Sequence, residues 1–394
     1  MKAPRTVLVL VACLMAGSAL AFKMGHKEEY ELVKDAAEAH RDGRYAKIYQ
    51  RTPGVGSKFG DPIHEEMSLA SLKLAASETP GLLCRATPDE IWHLARKIEA
   101  ARVGNSLCCG KSAESKWCDW VDDNVRHADF PDRLPPLVAG TRWPDDPCHM
   151  SYRRETVSAW AAWMVDPFYR WSSNINYSSH FHNKQFLHAM KSAGFGSRDD
   201  QGEPASVTQH KLVTWAEFAM KVANGSIASS ARLPSVPEHL EPHRKTAFQL
   251  GFSGYGPITV GKLFAGSKQP DPDHVKQMAL GALLHTVQDS FSLSHAEREN
   301  SQASLMKDRG KITRFISYRR ANPTEHGVAD ARPADALTAE LSDAHPVAYG
   351  AHLIACAASS DDRQQNWLKA KAFLVERVFA ISPAQNRAST VARR

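Results

Sequence analysis

Apolar residues recur at three- and four-residue spacing through most of the chain, and rarely at the two-residue alternation of a half-buried strand. Amphipathic stretches at 27–41, 62–77, 151–165, 178–193, 208–223, 273–292, 334–358 and 361–381 predict helices. The sharpest start signal is Thr87-Pro88-Asp89-Glu90, a capping box with proline at the first helical position. Apolar Ile91, Leu94, Ala95 and Ile98 follow it at helical spacing. Segments rich in Gly, Pro, Ser or Asp near 51–61, 129–147, 195–207, 225–238 and 266–273 predict loops. No linker is long or biased enough to divide the chain, and no internal repeat is visible. The pattern predicts an all-α protein, a single multi-helix domain with long loops.

The first 21 residues break this pattern. Lys2 and Arg5 form a charged start, VLVLVACLMAG is an apolar core, and Ala19-Leu20-Ala21 is a small-residue cleavage site. This reads as a signal peptide over 1–21, with a domain over 22–394 and residues 383–394 as a flexible basic tail. A rival lipoprotein box ends at Cys13, behind a very short apolar run. Either way the mature protein works outside the cytoplasm, in the periplasm or secreted, and no later segment reaches membrane-spanning length. A formal charge of +6 with 18 His residues mildly favours anionic partners. Without a dense Lys/Arg stripe the charge does not indicate a dedicated nucleic-acid binder.

Once Cys13 is removed with the signal, Cys84, Cys108, Cys109, Cys118, Cys148 and Cys356 remain. Six cysteines in an exported chain read as disulfides. Four fall between Cys84 and Cys118, which predicts a locally stapled segment. No CxxC pair supports a zinc ribbon.

The chemistry concentrates in GALLHTVQDSFSLSHAERE and TEHGVAD, which hold His285, Asp289, His295, His326 and Asp330. Neutral imidazoles and carboxylates are ligands that zinc selects. His285 and Asp289 are four apart in an apolar helix, so they share one face. His326 and Asp330 repeat that spacing. One such pair reads as a buried His satisfied by its carboxylate. Two pairs with a linking His would cost several kcal/mol of desolvation without a cation, which favours a metal.

The spacing His-x3-Asp-x5-His, followed by His-x3-Asp, resembles the zinc-dependent bacterial phospholipases C and the related fungal single-strand-specific nucleases. The resemblance is strongest over about 281–330. It implies a helical, exported domain carrying three zinc ions. His285 and Asp289 would bind one zinc, with Asp289 bridging to another, and His295, His326 and Asp330 would hold a second. Ser178-Ser179-His180-Phe181 matches the family's Ser-His-Phe pattern, so the resemblance makes His180 a ligand, with His182 and His188 in supporting or surface positions. Trp143-Pro144-Asp145-Asp146 resembles the nucleases' Trp-Ala-Asp element and points to Asp145 as ligand and water-orienting group, with Asp146 and Asp166 as alternatives. For the third zinc the family uses the first mature residue, here Phe22 in place of its usual Trp, and an N-terminal His. His64, opening a helix, is the first choice and His26 the rival. His64-Glu65-Glu66-Met67-Ser68 lacks the second His of a metalloprotease HExxH motif.

These features predict an exported, monomeric zinc-dependent hydrolase of phosphodiester bonds that uses metal-activated water. Phospholipid head groups are the leading substrate class, with peripheral membrane contact, and single-stranded nucleic acid is the alternative. A non-catalytic exported protein that keeps zinc as a staple is the reading from another class. Lys307, Arg309, Lys311, Arg314, Arg319 and Arg320 form a basic segment between His295 and His326. It reads as a solvated loop, or less readily as a phosphate-holding wall. Trp160, Trp163, Phe168, Tyr169 and Trp171 read equally as core or as a lipid- or base-gripping wall.

Overall fold

The computed structural model describes residues 63–95, 136–141, 143–144, 178–179, 183–192, 203–252, 258–265, 271–317 and 333–383. Nine α-helices lie among the described residues: α1 (Ile63–Ser77), α2 (Pro88–Leu94), α3 (Pro136–Thr141), α4 (Ala205–Ala223), α5 (Lys245–Phe252), α6 (Val260–Ala265), α7 (Pro272–Asp289), α8 (Pro346–Ala358) and α9 (Arg363–Phe373). A π-turn, Leu374–Val378, extends α9. The one sheet among these residues pairs β1 (Ala296–Arg298) with β2 (Ile312–Phe315), antiparallel. Helices cover 62% of the described residues, so the all-α expectation holds at the level of class.

Helix α7 is the axis. Asp271 caps it by accepting the Asp273 and His274 N–H groups at 2.8 and 3.4 Å, and Pro272 sits where no N–H is needed. The sequence pattern suggested a half-exposed helix. Instead every residue from Met278 to Asp289 is buried, because α1, α3, α4, α6 and α8 surround it. The approach of α3 needs glycine on both sides. A Cβ on Gly281 would stand 2.0 Å from the Leu137 carbonyl oxygen, and one on Gly140 would stand 2.5 Å from that of Met278. Around this axis Trp143, Trp215, Phe218, Phe248, Phe252 and Phe264 form a continuous aromatic cluster.

The capping box at Thr87 forms as read. Thr87 Oγ1 accepts the Glu90 N–H at 3.2 Å and Glu90 Oε2 accepts the Thr87 N–H at 2.8 Å. The Ser360 N–H also donates to Glu90 at 2.9 Å, and these bonds hold that carboxylate down to about 2 despite a smaller opposing effect of burial.

Other boundaries moved. The stretch 129–147, expected as loop, contains α3. The stretch 334–358, expected as one helix, becomes helical only at Pro346, because proline is tolerated at the first helical position and not in the interior. His345 caps that helix by accepting the Val347 N–H at 3.1 Å. In 178–193 the described residues make a 3₁₀ turn, Gln185–His188, ended by Ala189 in the left-handed region at φ 50°. The local staple expected of Cys84 is also replaced. Cys84 pairs with Cys356 in α8, 272 residues away. Cys108, Cys109, Cys118, Cys148, residues 1–62 and the tail beyond 383 lie outside the described residues.

His274, in the first turn of α7, is 2% exposed, and neither ring nitrogen has a hydrogen-bond partner among the described residues. Burial drives its pKa from 6.5 to about 4, only partly opposed by Asp271. The unfolded chain therefore binds more protons than the folded one between those values. The contribution of this group to stability should be flat above pH 6.5 and fall by about 3 kcal/mol on acidification to pH 4. Urea unfolding across that window, in chelator, should show a steeper acid loss in the wild type than in His274→Phe, by about that amount. An unchanged slope in the variant would assign it elsewhere.

Candidate metal centre

Five side chains converge at the C-terminal end of α7. His285 and Asp289 face the same way one helical turn apart, as their spacing requires, with His285 Nε2 2.8 Å from Asp289 Oδ2. His64, second residue of α1, brings its ring to 4.1 Å from that of His285, and its Nε2 lies 3.4 Å from Asp289 Oδ1. His295 follows the tight turns after α7 and places Nδ1 3.3 Å from Asp289 Oδ2. His188 closes the ring from the 3₁₀ turn, with Nδ1 2.9 Å from Asp289 Oδ2 and 3.0 Å from His285 Nε2. All five are buried to 1% exposure or less.

Hydrogen bonds fix the elements that carry these groups. Thr286 Oγ1 accepts the Trp215 indole N–H at 3.0 Å and donates to the Leu187 carbonyl at 2.8 Å, which pins the turn bearing His188 to α7. The His188 carbonyl accepts from His295 Nδ1 at 2.8 Å, so His295 carries its proton there and its lone pair on Nε2. Arg298, wholly buried, donates to Ser290, Gly310 and Val378 carbonyls and stacks on Phe291, locking β1 beneath the end of α7.

The donor set suits a metal ion. His64, His285 and Asp289 offer ligand atoms within 4.8 Å of one another. His188 Nδ1, His285 Nε2 and Asp289 Oδ2 form a triangle with edges of 2.8 to 3.0 Å. Ligands at zinc distances in a tetrahedron lie about 3.3 Å apart, so the triangle is close to a zinc face. Asp289 Oδ1 has no hydrogen bond among the described residues. Burial would raise the Asp289 carboxyl, but His285 and His295, with hydrogen bonds from His188 and His285, outweigh it and hold the group well below its usual 3.8. An ionised, buried carboxylate ringed by imidazoles could hold a cation.

His188 was expected in a supporting or surface position, and the surface alternative is corrected. It is fully buried and touches both His285 and Asp289. The only signal in sequence was a polar residue inside the apolar run FLHAM. His295 Nδ1 faces the same Asp289 oxygen that His285 meets. His180, Asp145, Asp146, Asp166, His326, Asp330, His182, His26, Phe22 and the aromatic run Trp160–Trp171 lie outside the described residues. Trp143, which precedes the Asp145 element, is buried, donates its indole N–H to the Leu263 carbonyl at 3.0 Å and stacks on Trp215.

The basic segment divides. Arg309 is not part of a solvated loop, since it is buried and donates to the Phe291 carbonyl at 2.7 Å. Arg314 is exposed and paired with Glu297, and Lys307 and Lys311 are exposed. Among the described residues no helix is long and apolar enough to cross a membrane. No family model, curated protein or solved structure matches this chain.

Proposed function

We propose that the chain is an exported zinc-dependent hydrolase of phosphodiester bonds, acting on phospholipid head groups. The observation that carries this reading is the buried ring of His64, His188, His285 and His295 around Asp289. His188, His285 and Asp289 Oδ2 would hold one ion, while Asp289 Oδ1 and His64 would reach a second, making Asp289 the bridge. His295, with its lone pair on Nε2, would serve a third ion together with His326 and Asp330. Zinc so held supplies Lewis acidity toward phosphoryl oxygens and toward water. Asp145 would take the water's proton in a hydrogen bond and orient its lone pair. The phosphodiester class rests on the spacing of His285, Asp289, His295, His326 and Asp330. Export rests on the signal-like residues 1–21 and on the buried Cys84–Cys356 disulfide, a bond that persists in oxidising compartments.

The test is zinc content of the purified mature chain by mass spectrometry, followed by assays on phosphatidylcholine vesicles and single-stranded DNA before and after dialysis against chelator. Two or more zinc ions per chain and chelator-sensitive release of the phosphorylated head group are expected. Cleavage of DNA instead would assign the nuclease activity. Zinc without either cleavage would make the centre a structural staple, and fewer than two ions would overturn the three-zinc reading.

A further inference from the structure

Gln288 sits between the two faces of the centre without belonging to the ligand set. It precedes Asp289 on α7, so its side chain leaves the helix about 100° away from that carboxylate and reaches α1 instead. Its Oε1 lies 2.7 Å from His64 Nδ1, and its Nε2 donates to Ser68 Oγ at 2.8 Å. Ser68 is one turn on from His64 in α1, so the same helix that carries the imidazole also holds the amide in place. All three residues are buried.

An amide oxygen can only accept. The proton of His64 is therefore on Nδ1 and its lone pair on Nε2, the atom that faces Asp289 Oδ1 at 3.4 Å. Acceptor then faces acceptor, an arrangement that a cation between them satisfies. Were the amide reversed, its NH2 group would drive the proton to Nε2, and His64 would become a hydrogen-bond donor to Asp289 instead of a ligand.

We propose that Gln288 is a positioning residue that selects the Nδ1–H tautomer of His64 and so directs Nε2 into the metal centre. What Nε2 then binds rests on the zinc reading above; the tautomer does not. Outer partners of this kind commonly set metal affinity through the orientation and basicity of the imidazole.

The experiment uses the mature protein with ¹⁵N-labelled histidine, freed of metal and held at pH 8, where long-range proton–nitrogen correlations distinguish the two tautomers. The wild type should show His64 protonated on Nδ1. Gln288→Glu, an acceptor in either orientation, should keep that tautomer and stay within about tenfold of wild-type zinc affinity in chelator competition. Gln288→Met, similar in length but without an amide, should lose the preference and bind zinc about 10- to 100-fold more weakly. Finding His64 protonated on Nε2 in the metal-free wild type overturns the proposal, whatever the variants do. So does a Gln288→Met protein that keeps both tautomer and affinity. A wild type that binds no zinc but shows the Nδ1–H tautomer would sink the hydrolase reading and leave this one standing.

Discussion

Asp289→Asn should abolish the thermal stabilisation that zinc gives the protein. Asparagine keeps the shape of the side chain but removes the charge, and Asp289 is the only carboxylate among the five converging groups. Loss of a partner outside the ligand set already costs 10- to 100-fold in metal affinity, so loss of a charged ligand should exceed about 100-fold. With free zinc at about a thousand times the wild-type dissociation constant, binding contributes about 4 kcal/mol to folding. The variant should lose most of it.

The comparison in chelator gives this experiment its edge. If the cluster were only a buried ion-pair network, removing the Asp289 charge would destabilise the metal-free protein by about 3–5 kcal/mol and zinc would not alter the difference. If the cluster is a metal centre, the gap between wild type and variant already present in chelator should widen as zinc is added. Melting curves of both proteins over a zinc series decide between the two.

Much of the centre was legible because the helix period did the work. His285 and Asp289 share a face by spacing alone, and His64 was legible because Ile63–Ser77 begins where the apolar pattern begins. His188 was not legible. It stands 97 residues from His285, in a 3₁₀ turn whose place on α7 depends on a hydroxyl, Thr286, that no periodicity marks. The full burial of α7 was hidden for a related reason. Its polar residues His285, Gln288 and Asp289 mimic a solvent face, when they are the lining of an internal site. The onset of α8 at Pro346 shows the converse, a local rule outvoting a long amphipathic pattern. Cys84 illustrates the limit of spacing arguments for disulfides, since four neighbouring cysteines suggested a local bond and the fold supplied a distant one.

That distant bond should be worth more to stability than any other single link in the described fold. Cross-linking residues 272 apart removes a large share of the unfolded chain's freedom, and the chain-entropy relation gives about 6 kcal/mol for a loop of that size. The bond joins the segment just before α2 to the last turn of α8, and α8 packs along α1, the helix that presents His64. Its loss should therefore loosen the frame of the metal centre as well as the fold. Replacing both Cys84 and Cys356 by alanine, which leaves no buried thiol or hydroxyl, should lower the melting temperature by roughly 7 °C. Both sulfurs are buried, at 0% and 1% exposure, so a mild reductant acting on the folded wild type should leave the bond intact until the protein opens. Thiol titration with and without denaturant checks that point. A double variant that melts within a degree or two of the wild type would show that burial of α8 against α1 and α7 holds the two segments together without the covalent link.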